Sequence, residues 1–174
     1  MRRAGVLRIA LAAAAVSVVA AAAQTPPPPQ PPQPSQPARG GPASSPLNYV
    51  PGVGDLMNLL VQPRHAKLGI ALQERNWDLA GYALKELQQA FGTVATVQPK
   101  YRNLTVAEMI ESMTGEAMRG LDDTIRARDS KRSAEVFDTL TDGCNSCHTA
   151  LGYPFVVIKP PDGSSFPNQD FKTP

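Results

Sequence analysis

The chain reads as an all-α protein, an antiparallel up-down-up-down four-helix bundle, on three observations. Apolar residues recur at helical spacing in four separate stretches from Asp55 onward. The junctions at Asn76 and Asp129 are so short that the helices they join must be antiparallel neighbours. No stretch alternates as a half-buried strand does, apart from a brief run, Phe155 to Ile158, after the last helix.

The first helix is marked by Met57, Val61, His65, Leu68 and Leu72, which share one face. Pro63 lies within it and, lacking an N–H, predicts a kink or a fresh start. Asn76 is a suitable N-cap for a second helix from Trp77 to about Phe91, with Ala80, Ala83, Leu84, Leu87 and Phe91 inward. Gly92 to Arg102, which contains Pro99, reads as the one longer loop. Thr105 and Glu108 have capping-box spacing at the head of a third helix. Its stripe is Val106, Met109, Met113, Ala117, Leu121 and Ile125. Asp129 or Ser130 caps the fourth, which carries Phe137, Leu140, Cys144 and Cys147 on one face. Methionine fills irregular cores well, which accounts for Met109, Met113 and Met118.

Residues 1–23 have the parts of an export signal: Arg2, Arg3 and Arg8, an uncharged apolar run from Ile9, and the small residues Ala21-Ala22-Ala23 before a cut. The run from Ile9 to Ala23 is shorter than the ~20 residues that span a bilayer comfortably. Cleavage is therefore expected rather than a retained anchor, and the mature chain would have no membrane span. Residues 24–53 are rich in Pro, Gln and Ser and have little to bury, so they read as a disordered linker. Residues 54–174 are the folded domain, ending in an irregular tail. The formal charge of +2 includes the signal arginines; without them 14 Lys+Arg face 15 Asp+Glu. That balance offers no clustered basic face for nucleic acid.

Cys144-Asn145-Ser146-Cys147-His148 carries the chemistry. Cys-x-x-Cys-His is the attachment signal for c-type haem. On a helix, cysteines three apart share a face, so both thiols can form thioethers to one edge of the porphyrin. The next residue, His148, can then ligate the iron from the proximal side. The alternatives fit less well. A thioredoxin-type pair expects a βαβ setting. A lone Cys144–Cys147 disulfide would close a tiny loop and stabilise little. Zinc needs four ligands as a rule, and the histidines available are His148 and His65.

A helical bundle with a single Cys-x-x-Cys-His near its C-terminal end resembles the class II c-type cytochromes, the cytochrome c′ and cytochrome c556 group. The resemblance covers about Asp55 to Leu151; the tail from Gly152 to Pro174 runs past the usual end. The stretch Arg64-His65-Ala66-Lys67-Leu68 with Asn76-Trp77 is similar to a less characterised branch. The resemblance implies a homodimer paired through the first two helices, and an open iron that would bind nitric oxide or carbon monoxide.

The opposite side of the haem turns on register. His148 is 18 residues after Ser130, and 18 residues back from Arg75 along an antiparallel first helix is Met57. His65 would lie ~12 Å deeper at ~1.5 Å per residue. Met57 and His65 are thus the two candidates for a sixth ligand, against core packing for the former and a hydrogen-bonded helix histidine for the latter. Arg64, Lys67 and Arg75 are candidate propionate partners, and Trp77, Tyr82 and Tyr49 candidate pocket aromatics. The expected function is electron transfer in the periplasm through one covalent haem c, with redox proteins as partners and no catalytic residues. The alternative is gas binding at a five-coordinate iron; a peroxidase would need His65 as its distal acid–base group.

Overall fold

Val61, His65, Leu68 and Leu72 are all buried, as their common face requires. In the computed structural model, which describes residues 49–163 and 166–172, they belong to one helical run of three parts. These are α1 (Val53–Leu56), a π-helical turn (Met57–Val61) and α2 (Gln62–Gln73). Residues 1–23 and all of the linker before Tyr49 lie outside the described residues. The linker's last residues are tied down: Gln98 donates to the Pro51 carbonyl at 2.9 Å, and the Tyr49 hydroxyl donates to Asp55 at 2.6 Å.

Pro63 falls in the first turn of α2, where a missing N–H leaves no hydrogen bond unmade. The widened turn before it lets the Gln62 N–H reach the Met57 carbonyl, and Arg64 adds a donor to the Leu60 carbonyl at 2.9 Å. Proline therefore starts α2 rather than breaking it.

The two short junctions are built alike. At the end of α2, Arg75 takes a left-handed conformation, φ 55°, and the Asn76 N–H closes on the Ala71 carbonyl. Asn76 then caps α3 (Trp77–Val97), its side chain accepting from the Leu79 N–H. At the end of α4 (Val106–Arg126), Arg128 has φ 53° and the Asp129 N–H closes on the Thr124 carbonyl. Asp129, not Ser130, then caps α5 (Ser130–Ala150) through the Arg132 N–H. One residue thus completes a Schellman end and opens the next helix.

Between α3 and α4 the structure differs from the expected loop over Gly92–Arg102. α3 runs to Val97 because Val94 continues its buried stripe. Gly92 lies within the helix, and Pro99 marks the real stop. What remains is a hairpin, β1 (Lys100–Tyr101) paired antiparallel with β2 (Leu104–Thr105), too short to show alternation. The Thr105 hydroxyl accepts from Lys100 Nζ at 2.7 Å, and it makes no cap with the N-terminus of α4. Phe155 to Ile158 forms no strand.

Among the described residues the protein is all-α apart from that hairpin. α2 packs on α3, α3 on α4, α4 on α5, and α2 also meets α5. Leu68, Leu84, Val94, Leu121 and Leu140, at least one from each long helix, are almost fully buried; each contributes roughly 1.5–3 kcal/mol of hydrophobic stabilisation. Beyond Ala150 the chain returns along the surface of α2. Pro161 packs where a Cβ on Gly69 would come within 2.6 Å, and Gln73 donates to the Pro161 carbonyl at 2.7 Å. Asn76 donates to the carbonyls of Phe171 and Lys172, and the Phe171 ring is buried. Among the described residues, no helix is long and apolar enough to cross a membrane.

Candidate functional site

The motif occupies the last two turns of α5. Helical spacing puts Cys144 and Cys147 on one face, and both are free thiols, partly buried. Burial, then the neighbouring Cys147, pushes the Cys144 thiol up to about 11, and burial also raises Cys147. A redox-active Cys-x-x-Cys needs the opposite, a thiolate favoured by a helix N-terminus or a cation. Here the pair sits at the helix's negative end.

α5 reaches this point pressed against α4. Gly143, immediately before Cys144, has the Met113 carbonyl where a side chain would begin. Gly120 lies against Val136 further along the same pair. Extending that antiparallel register by one turn brings Met109 level with Cys147. Two methionines read as core filling, Met109 and Met113, thus flank the motif; Met109 is partly buried and Met113 partly exposed. Their spacing of four was the only signal in the sequence.

His148 is held from outside the helix. Its Nδ1 lies 2.8 Å from the Val156 carbonyl. A carbonyl only accepts, so Nδ1 bears a proton, and in the corresponding neutral tautomer the lone pair is on Nε2. That is the arrangement of a metal-ligating histidine steadied by a backbone carbonyl. The turn that permits it starts at Gly152, φ 85°, and is closed by the Tyr153 N–H on the His148 carbonyl at 2.8 Å. Asn145, between the cysteines, grips the same segment twice: Nδ2 donates to the Ile158 carbonyl and Oδ1 accepts from the Ile158 N–H, both at 2.8 Å.

His65 sits elsewhere. It is buried against Phe137, ring centroids 4.6 Å apart, with Nε2 2.9 Å from Thr141 Oγ1. The Thr141 hydroxyl gives its proton to the Phe137 carbonyl, so it accepts from His65 Nε2–H. Burial depresses the His65 ring to about 4. His65 opposite Thr141, and Gly69 against Phe137 one turn away, define an antiparallel register between α2 and α5. Met57 lies two turns before His65, across the π-helical turn Met57–Val61. Met57 is half-buried and packs on the core.

The other candidates are engaged or remote. Arg64 pairs with Glu86 at 3.6 Å, Lys67 lies over the Phe166 ring, and Arg75 closes α2. Trp77 packs on the core, whereas Tyr49 and Tyr82 are largely exposed. One groove of about 310 Å³ lies between α3 and α4 and another of about 300 Å³ between α2 and α3; neither includes a motif residue. Among the described residues no three of His, Cys, Asp and Glu converge as a metal cage. Covalent attachment and proximal ligation of a haem would call on two thiols and an imidazole nitrogen, and the motif offers those three. Comparison with known proteins finds no matching family model, no similar curated protein and no similar solved structure.

Proposed function

We propose that this chain is an exported monohaem c-type cytochrome of the class II kind, which passes electrons between redox partner proteins in the periplasm. On this reading α2 to α5 form an up-down-up-down bundle, with the haem at the C-terminal end of α5. The observation that carries the reading is the state of His148: it follows two free thiols on one helical face, and its Nδ1–H bond to Val156 leaves Nε2 to bind iron. When bound, haem supplies a one-electron iron couple whose potential depends on ligands, hydrogen bonds and burial.

The chain's own residues have distinct parts. Cys144 and Cys147 anchor the group as thioethers, and His148 is the proximal ligand. Met57 is the better candidate for the sixth position. His65 commits its Nε2 proton to Thr141 and is buried two turns deeper. Met109 and Met113 supply apolar, polarisable surface beside the cysteines.

Expression with haem-attachment machinery and an intact mass spectrum tests the proposal. The expected result is one added haem, lost when Cys144 and Cys147 are changed to serine; no added mass in the parent chain sinks it. An optical spectrum then distinguishes the functions. Low-spin reduced bands unmoved by carbon monoxide, becoming responsive in Met57→Ala, mark an electron carrier. A parent protein that already responds would be a gas-binding haem protein with an open iron.

A further inference from the structure

We infer that Asn145 is a positioning residue: by clasping Ile158 it suspends the Val156 carbonyl over His148 and so sets the tautomer and the angle of the imidazole. The consequence for iron rests on the haem reading above, but the clasp itself does not.

A backbone carbonyl two residues from Ile158 holds His148. Alone, a single hydrogen bond to an exposed, non-repetitive segment would hold the ring only weakly. The segment is instead fixed on both sides. On its N-terminal side the Gly152 turn ties Tyr153 to the end of α5 through the His148 carbonyl, and the Tyr153 hydroxyl meets that of Tyr101 on β1 at 2.5 Å. On its C-terminal side Asn145 satisfies both backbone groups of Ile158, and Pro161 is seated on Gly69 with its carbonyl held by Gln73. Between these anchors, Phe155, Val156 and Val157 are exposed, so apolar burial does not hold them. A turn bond from the Val156 N–H to the Tyr153 carbonyl and polar contacts from the motif position this stretch, and Asn145 supplies two of the latter. Asn145 lies three residues before His148, on the same side of the helix, so one asparagine can grip the strap that the histidine needs. A side chain between the two cysteines thereby does for the imidazole what a partner in the surrounding shell does for a metal-bound histidine.

Two variants separate this from general stability. Asn145→Ala removes both contacts. Ile158→Pro removes the N–H that Asn145 accepts while leaving the whole motif intact. Nitrogen chemical shifts of the His148 ring are read first, in the haem-free chain at mildly alkaline pH. The parent should show Nδ1–H alone. Both variants should populate both tautomers, with faster exchange of the amides from Phe155 to Lys159 and unchanged protection in α3 and α4. Retention of Nδ1–H in both variants overturns the inference. If Asn145→Ala fails to fold, Ile158→Pro decides by the same criterion. In haem-loaded protein the one-electron reduction equilibrium should move about tenfold toward the ferrous form, 59 mV, because an acceptor that makes the histidine more basic is lost. An unchanged potential in both loaded variants also overturns the inference. Failure of the parent to take up haem refutes the functional reading instead, and the tautomer result stands apart from it.

Discussion

Acidification should destabilise the fold through one residue, His65. Its ring is buried between α2 and α5, stacked on Phe137, and its single polar contact is a Thr141 hydroxyl already committed as donor to Phe137. A second ring proton would put a charge into that interior with no protein acceptor for it among the described residues. Burial accordingly lowers the group from its ordinary 6.5 to about 4. The unfolded chain binds this proton near 6.5 and the folded chain only near 4, so between those values the unfolded state holds more protons and stability falls as pH falls. The contribution is complete above about 6.5 and lost below about 4. At 1.36 kcal/mol per pH unit it is worth about 3 kcal/mol. Urea unfolding at pH 7 and pH 4 measures it, with His65→Leu as reference. The variant's own packing and hydrogen-bond cost is present at both pH values and cancels. Contributions from groups other than His65 are common to both proteins and cancel as well. The parent should lose about 3 kcal/mol more than the variant between the two pH values. Equal losses would refute the assignment of a neutral, buried His65.

Gly143→Ala should be destabilising despite its place inside a helix. Alanine gains about 1 kcal/mol in helix propensity, but its Cβ meets the Met113 carbonyl, a backbone atom that cannot rotate away. Overpacking of about 1–3 kcal/mol or more then wins, and a fall in thermal midpoint would show it. At the left-handed positions the sign reverses: Arg75→Gly and Arg128→Gly should each stabilise by about 1 kcal/mol, read as a rise in urea midpoint.

Much of the local structure was legible in the sequence because it rests on local physics. The stripe from Val61 to Leu72, the caps at Asn76 and Asp129 and the motif on α5 depend on residues within a few positions of each other. The end of α3 was misread because Gly92 looked like a stop; burial of Val94 against other helices outweighed a glycine's modest cost. The Thr105–Glu108 box failed for a similar reason: Lys100, brought over by the hairpin, took the hydroxyl.

By itself the sequence determined that the chain is helical, where most helices begin, and that two thiols and an imidazole share the last turns of α5. Spacing alone decides those. Only tertiary structure decided which nitrogen of each histidine carries its proton. His65 and His148 have the same side chain and both lie on helices, yet one is buried against Thr141 and the other faces the Val156 carbonyl. Those partners are 76 residues away for His65 and 8 for His148. A hydrogen bond exists only where folding brings its acceptor, and periodicity carries no record of that.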